Sequence, residues 1–261
     1  LQTSPAAVSG NLIAYNNAYL GGGVSAAGVS ATLSGNLIRF NTATYRGGGV
    51  SLAGGSPMLI GNTIVSNTAP SGGGLFFILS GATLFNNVVA DNRATESGSG
   101  LYVGWSSPRL THNTIARNTG GDGSGILVAS FTDGSAVTLT NTILVSHTVG
   151  ITVLAGDTAT LQGTLWGTGA WANDMDWGGA GTILTGTINV FDDPAFVNPD
   201  TGDYHIGSTS AAINAAVNAG VHTDVDNQPR PYQTPDLGAD EYWPPGTLKY
   251  VYLPIVLRQL P

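Results

Sequence analysis

One short phrase recurs along the chain and restricts its fold more than any other feature. It first occurs as Gly10-Asn11-Leu12-Ile13 with a second asparagine at Asn16, and near copies return every 25 to 28 residues. The leading asparagines of the six copies are Asn11, Asn36, Asn62, Asn87, Asn113 and Asn141. A repeat of this length predicts a solenoid in which each unit stacks on the one before it.

Each repeat contains three short apolar pieces with a period of two, separated by glycine and asparagine corners, which is typical of strands and not of amphipathic helices. The first piece carries Ile13, Ile38, Ile64, Val89, Ile115 and Ile143. The second piece begins at Val24, Val50, Leu75, Leu101, Ile126 and Ile151. The third piece centres on Val8, Leu33, Leu59, Leu84, Leu110 and Leu139. The sequence therefore predicts an all-β parallel β-helix over residues 1–188, with about eight turns of three short strands.

The residues at the corners have structural explanations. Glycine tolerates positive φ and close backbone approach, which accounts for runs such as Gly47-Gly48-Gly49. The leading asparagines are predicted to point inward and to form a ladder of hydrogen bonds between turns, each contributing about 1 kcal/mol. This interpretation is favoured over catalysis by these asparagines.

Composition excludes several classes of protein. The chain has 42% hydrophobic and only 9% charged residues, with a net charge of −8, which argues against nucleic acid or an anionic membrane surface as a partner. It has no cysteine, so disulfides and thiolate sites are excluded. No window is typical of a transmembrane span. The chain begins at Leu1 without a signal peptide, from which we expect a processed product of an exported precursor.

The segment that follows the repeats resembles a known module. Its pieces are Asp192-Asp193-Pro194-Ala195-Phe196, Gly202-Asp203-Tyr204-His205-Ile206, Ser210-Ala211-Ala212-Ile213, Asp224-Val225-Asp226-Asn227 and Asp236-Leu237-Gly238-Ala239-Asp240-Glu241. In order and spacing, residues 189–243 resemble the choice-of-anchor Q module of exported bacterial right-handed β-helix proteins with a pectate-lyase-like coil. The resemblance implies export, a right-handed β-helix in front and a C-terminal cap, and it implies no reaction.

The two ends of the chain suggest assembly. Residues 244–261 form a linker and an apolar β-prone segment, with Tyr250, Tyr252, Leu253, Ile255 and Leu257 as candidate contacts. No amphipathic helix precedes the first turn, and an open end of a parallel coil is a row of unpaired backbone groups. We therefore expect that the apolar segment adds as a strand to this chain or to the uncapped first turn of another copy.

Candidate catalytic residues are few. Enzymes on this fold, such as pectate lyases and polygalacturonases, place their acids and bases in a groove, and uronate lyases need an Arg or Lys base and often calcium. The best cluster here is Asp91, Arg93 and Arg117, with Glu96 and Asp122 in nearby corners. Asp91 and Arg117 occupy equivalent positions of neighbouring turns, so the repeat predicts an ion pair between them. A surface salt bridge is the favoured interpretation of this cluster.

A segment with three tryptophans interrupts the late repeats. Trp166, Trp171 and Trp177 are candidates for stacking on sugar rings, although a lid that covers the flank of the coil is favoured because buried aromatic area is strongly stabilising. Asp174, Asp176, Asp224 and Asp226 are weak candidates for calcium, the one ion that the sequence suggests. The four histidines are scattered, so a histidine metal site is not expected. No phosphate-binding loop, zinc spacing, dinucleotide motif or nucleophile elbow is present.

The favoured hypothesis is a non-catalytic structural or adhesive β-helix protein, extracellular or at the cell surface, that assembles head to tail with copies of itself or binds a cell-surface component. One alternative is a lyase or glycoside hydrolase that acts on extracellular polysaccharide. The other is a carbohydrate-binding module without turnover.

Overall fold

The chain forms a right-handed parallel β-helix of about seven turns with three faces. The structure, a computed structural model, describes residues 6–130 and 134–247. Its first fourteen strands are β1 (Ala7–Ser9), β2 (Leu12–Ala14), β3 (Asn17–Leu20), β4 (Val24–Ala27), β5 (Thr32–Ser34), β6 (Leu37–Arg39), β7 (Thr42–Arg46), β8 (Val50–Ala53), β9 (Met58–Ile60), β10 (Thr63–Val65), β11 (Thr68–Ser71), β12 (Leu75–Ile78), β13 (Thr83–Phe85) and β14 (Val88–Ala90).

The later turns become less regular. Their strands are β15 (Arg93–Ser97), β16 (Leu101–Gly104), β17 (Arg109–Thr111), β18 (Thr114–Ala116), β19 (Thr119–Gly120), β20 (Ser124–Val128), β21 (Ala136–Val145), β22 (Val149–Val153), β23 (Thr158–Leu165), β24 (Met175–Gly178), β25 (Thr182–Thr185), β26 (Asn189–Val190), β27 (Phe196–Asn198) and β28 (Asp203–Ile206). Two 3-10 helices, Gly169–Trp171 and Pro199–Thr201, are the helical elements of the described residues. No helix there is long and apolar enough to span a membrane.

Parallel pairing of each strand with its counterpart one turn later builds the faces. One face is a seven-stranded sheet from β4 to β24, and another is a five-stranded sheet from β3 to β19. Fourteen of the sixteen remaining strands form a single sheet, because β21 and β23 each run through a corner and join two faces. The β27 and β28 strands pair antiparallel outside the coil.

Equivalent apolar residues of successive turns stack in the core, as the period predicts. Ile13, Ile38, Ile64, Val89 and Ile115 are paired in register. The column then continues at Leu144 and not at Ile143, which pairs with Thr114. The sequence-based register is therefore one residue off in the sixth turn, and Ile143 packs on the outer side of the sheet with Val145 and Leu165.

The ladder of leading asparagines runs through five turns. Each side-chain oxygen of Asn36, Asn62, Asn87 and Asn113 accepts the backbone and amide N–H of the asparagine one turn earlier, at 2.9 to 3.2 Å. Asn141 does not extend this ladder. It occupies the corner position that directly precedes the ladder position and that has a positive φ. Its side chain forms hydrogen bonds with Val217 and His112.

A second ladder runs along the next corner. It passes through Asn16, Asn41, Asn67, Asn92 and Asn118, again at 2.9 to 3.0 Å. His147 and Asn173 continue it, since Asn118 Nδ2 lies 3.2 Å from His147 Nε2 and Asn173 Oδ1 accepts from the His147 backbone at 3.0 Å. Both ladders satisfy buried backbone groups at corners where strand pairing stops.

The segment after the coil lies along its flank. Tyr204, Ile206, Ala212, Leu237 and Ala239 are buried against the outer side of the large sheet. Their partners in the coil are Val65, Val88, Ala90, Ala116, Ile143, Val145 and Leu165. These contacts place residues 204–239 on a side of the coil, and the closing of its end by residues 189–243 stays a prediction. The apolar outer positions of β10, β14 and β18 explain this placement, because they need a cover.

Candidate functional sites

The predicted ion pair of Asp91 and Arg117 is confirmed, and it belongs to a larger network. Both residues lie at positive-φ corners of successive turns, and Arg117 Nε donates to Asp91 Oδ1 at 2.9 Å. Tyr204 from the flanking segment donates its hydroxyl to Asp91 Oδ2 at 2.7 Å and accepts from Arg117 Nε at 3.0 Å. Arg117 also donates to Asp200 Oδ1 at 2.7 Å and to the Pro199 carbonyl at 2.8 Å.

This network keeps Arg117 and Tyr204 in their protonated forms. Burial opposes the charge of Arg117, but its hydrogen bonds to Asp91 and Asp200 raise the pKa above the ordinary value. Burial and the hydrogen bond to Asp91 raise the Tyr204 pKa. Neither group can exchange a proton near neutral pH, so the arrangement ties the flanking segment to the coil and is poorly suited to general acid–base chemistry.

Arg93, the third candidate catalytic residue, does not belong to this network. Arg93 lies exposed on β15 and forms no ion pair within the described residues. Asp122 Oδ1 accepts from the backbone of Gly98 and Ser124, each at 3.1 Å, so it organises a corner. The structure thus brings Asp91 and Arg117 together but leaves Arg93 outside their hydrogen-bond network.

The seven-stranded sheet carries few ionisable groups on its outer side. In β4, β8, β12, β16, β20 and β22, the position that alternation directs away from the core is occupied in turn by Ser25, Ser51, Phe76, Tyr102, Leu127 and Thr152. None of these six is a carboxylate, a lysine, an arginine or a histidine. This row offers no pair of carboxylates for glycoside hydrolysis.

The three tryptophans do not form one binding surface. Trp166 is fully buried in the core and donates to Asn189 Oδ1 at 3.1 Å. It therefore has no ring face open to a sugar, and the prediction that it binds carbohydrate is wrong. Trp171 packs edge-on against Phe196 at 5.0 Å and lies near the Arg117 guanidinium. Trp177 remains exposed, tilted against Trp166 at 5.3 Å. Two of the three therefore help to pack the coil and its flank.

Two of the calcium candidates, Asp224 and Asp176, accept hydrogen bonds from neighbouring residues. Asp224 is buried, accepts from the backbone of Asp226 at 2.9 Å and of Gln228 at 2.8 Å, and has its pKa raised to about 6, chiefly by burial. Asp176 accepts from Asn173 at 3.0 Å, and Asp174 donates its backbone N–H to His147. Backbone and amide donors thus occupy carboxylate oxygens of Asp224 and Asp176 that calcium would need, whereas the bond of Asp174 does not involve its carboxylate.

Asp226 belongs to a group with a histidine. A ring nitrogen of His205 and one carboxylate oxygen each from Asp226 and Asp240 lie within 4.8 Å of one another, close enough to hold a metal ion. His205 is also bonded to Asp226 at 2.8 Å and to Asp203 at 2.6 Å. The bond to Asp226 does most to raise the His205 pKa to about 10. The protonated ring therefore bridges two carboxylates, and a metal ion would have to displace its proton.

A buried arginine, Arg230, connects distant residues within the flanking segment. The Arg230 guanidinium donates to the carbonyls of Asp236 at 2.9 Å and Ala239 at 3.0 Å, and its Nε lies 3.6 Å from Glu241 Oε2. It also contacts His112 Nδ1 in the coil. No local pattern predicts this role, since His112 and Arg230 are 118 residues apart.

The start of the described coil is an apolar hollow. A cavity of about 270 Å³ there is lined by Ala6, Val8, Val24, Ala26, Val29 and Leu33, among others. The candidate assembly residues Tyr250, Tyr252, Leu253, Ile255 and Leu257 lie outside the described residues. Their contact with the first turn therefore stays a prediction.

Comparison with known proteins agrees with the architecture. Residues 2–165 match the family described as "Right handed beta helix region". No curated protein and no solved structure matched the chain.

Proposed function

The chain belongs to the right-handed β-helix family, and from this premise we propose that it is a non-catalytic structural or adhesive protein of the extracellular space or cell surface. One observation carries the proposal. The guanidinium of Arg117, the best candidate for a catalytic base, is bound by Asp91, Tyr204, Asp200 and the Pro199 carbonyl. All three nitrogens of this guanidinium therefore donate to groups of the protein, so it stabilises the fold and is not positioned to take a proton from a substrate.

The extracellular part of the proposal rests on the resemblance of residues 189–243 to modules of exported β-helix proteins. Composition supports it, because only 9% of residues are charged, and Ser, Thr, Asn and Gly supply much of the surface polarity. Such a rod presents rows of equivalent side chains to a partner.

Turnover assays test the non-catalytic claim. Uronate and neutral polysaccharides are incubated with the protein, and unsaturated and reducing ends are measured. We expect none above background. Turnover that disappears in Arg93→Ala would overturn the proposal, and this variant is chosen because Arg93 is exposed and outside the Arg117 network.

Assembly with copies of itself is the second part of the proposal. The apolar hollow at the first turn supports it, since a second chain could bury those side chains. Removal of residues 248–261 is expected to reduce the particle size measured by sedimentation. Identical monomers with and without these residues would exclude assembly through this segment.

A further inference from the structure

Exposed aromatic side chains occupy one corner of the first two turns and the strands β3 and β7 that follow it. Tyr15 is 76% and Tyr19 65% exposed, and in the next turn Phe40 is 43% and Tyr45 38% exposed. Tyr15 stacks on Phe40 with ring centroids 5.2 Å apart and an interplanar angle of 18°. Tyr19 stacks on Tyr45 at 5.1 Å and 17°. The coil thus presents two parallel aromatic ladders to solvent.

Two arginines accompany these rings. Arg39 lies over Phe40 with its guanidinium carbon 5.5 Å from the ring centroid, and Arg46 lies over Tyr45 at 4.2 Å. Neither arginine forms an ion pair or a side-chain hydrogen bond with residues 6–130 or 134–247, and Arg39 Nε is buried without a partner. The contrast with Arg117 and Arg230 is clear, because those two arginines are bound on several sides.

The charge of the chain is segregated along the coil. Arg39 and Arg46 are the only charged side chains among residues 1–90, whereas all sixteen acidic residues lie in residues 91–261. The first turns are therefore locally cationic in a chain with a net charge of −8. An anionic ligand is attracted to this end and repelled by the other.

We propose that this aromatic–arginine face, made of Tyr15, Tyr19, Phe40, Tyr45, Arg39 and Arg46, binds a polysaccharide that carries carboxylate groups. Sugar rings offer flat C–H-rich surfaces to aromatic rings, and the unpaired guanidinium groups provide donors that match a carboxylate. The hydroxyls of Tyr15, Tyr19 and Tyr45 form no hydrogen bond with a described residue and can bond sugar hydroxyls.

Two pairs of rings, each pair spanning the first and second turns with centroids about 5 Å apart, form an extended surface that favours a linear polymer over a compact ligand. Nucleic acid also offers stacking and negative charge. It is disfavoured because two arginines neutralise few phosphates, and the sixteen acidic residues would repel a long phosphate chain. This inference rests on the proposed adhesive function and names its surface and its ligand.

Binding to alginate, a polyuronate, tests the aromatic part. The double variant Tyr15→Ala/Tyr19→Ala is compared with the wild type by calorimetry at low ionic strength. We expect binding by the wild type and at least tenfold weaker binding by the variant. Phe191→Ala is the matched control, because Phe191 is an exposed ring outside the face. Thermal unfolding verifies that each variant is folded.

The propylene glycol ester of alginate tests the charge, since it keeps the sugar backbone and removes most carboxylates. We expect weaker binding of the ester, and an equal loss of alginate affinity in Arg39→Gln/Arg46→Gln. Arg109→Gln, which removes an exposed arginine elsewhere, should bind like the wild type. Addition of salt should weaken alginate binding and affect the ester less.

Several results would overturn the inference. These are absence of alginate binding, equal affinity for alginate and its ester, tighter binding of poly(dT), or a Tyr15→Ala/Tyr19→Ala variant that binds normally. A loss of self-association in that variant without glycan binding would assign the face to a second copy. Cleavage of alginate would contradict the non-catalytic proposal alone, so failures of the two proposals are distinguishable.

Discussion

The carboxylate of Asp91 and the guanidinium of Arg117, 26 residues apart in sequence, lie one above the other with Nε and Oδ1 2.9 Å apart. Both side chains are only about a quarter exposed, because Tyr204 and the chain around Pro199 cover them. The pair therefore joins two turns of the coil to the segment on its flank. It differs from an open surface salt bridge, whose contribution is usually small.

Replacement of Arg117 by methionine should lower the free energy of unfolding by about 2–4 kcal/mol, because partly buried carboxylate and carbonyl oxygens lose their donor. Urea denaturation measures the change. Arg93→Met is the matched control, since Arg93 is exposed outside this network, and its effect should stay within about 0.5 kcal/mol. Equal effects of the two substitutions would contradict the structural role of Arg117.

Tight glycine stacking at one corner predicts a large effect of a single methyl group. A Cβ at Gly49 would lie 2.7 Å from the Gly74 carbonyl oxygen and 2.8 Å from Ile64 Cγ2. Gly49→Ala should destabilise the protein by about 2 kcal/mol or more, because backbone and core must shift. At Gly81 the nearest atom to such a Cβ is 3.5 Å away, so Gly81→Ala should be nearly neutral. The melting temperatures of both variants provide the comparison.

The second asparagine ladder predicts a gradient of stability along the coil. Asn67 is buried and donates to the Ile38 carbonyl at 3.0 Å and to Asn92 Oδ1 at 3.0 Å, whereas Asn16 is exposed at the first rung. Asn67→Ala should cost about 3 kcal/mol by leaving several buried groups unpaired. Asn16→Ala should cost about 1 kcal/mol. Similar losses in chemical denaturation at both positions would argue against a ladder that acts through burial.

The burial of His147 predicts that the folded state loses stability in acid. It is buried in the ladder, with Nδ1 3.1 Å from Asn173 Oδ1 and Nε2 3.2 Å from Asn118 Nδ2, and burial lowers its pKa to about 4. Because the unfolded chain binds a proton near pH 6.5 and the folded chain does not, stability is lost as pH falls from about 6.5 to 4.

Substitution of His147 by asparagine, the residue found at the neighbouring rungs, should remove roughly 3 kcal/mol of this pH dependence. Unfolding free energies at pH 7.5 and 4 give the value. His112, whose pKa burial lowers to about 3, should preserve part of the acid sensitivity. The exposed His222 serves as the control site, and a His222→Asn variant with the same reduced slope would refute the assignment.

The contacts of His205 predict the opposite dependence, a loss of stability as the pH rises. Its raised folded-state pKa, about 10, means that its contribution to stability is complete below about pH 6.5 and is lost as pH rises toward 10. Titration of the imidazole signals by NMR should show protonation of His205 persisting above pH 7. Asp226→Asn should lower this pKa, since Asp226 is its main partner. An unchanged midpoint in that variant would exclude the bridge.

The repeat was sufficient to predict several contacts between turns. The coil, the stacked apolar columns from Ile13 to Ile115, and the pairing of Asp91 with Arg117 all follow from the period. Spacings of one repeat also separate Tyr15 from Phe40 and Tyr19 from Tyr45, so the period was sufficient to predict their stacking as well. The predicted register was wrong at Asn141 because Thr142 occupies the ladder position of that turn. Alignment of Asn141 with the other leading asparagines therefore shifted the predicted turn by one residue.

By itself, the sequence determined a parallel coil with three apolar columns, because a period of two inside a 25-residue repeat can bury its side chains only when turns stack. Only the tertiary structure decided that residues 204–239 cover a flank, that Arg117 is bound by residues more than 80 positions away, and that Trp166 is buried. These outcomes depend on which surfaces meet after the coil has formed. No local pattern specifies them, because the partners are distant in sequence and belong to no repeat.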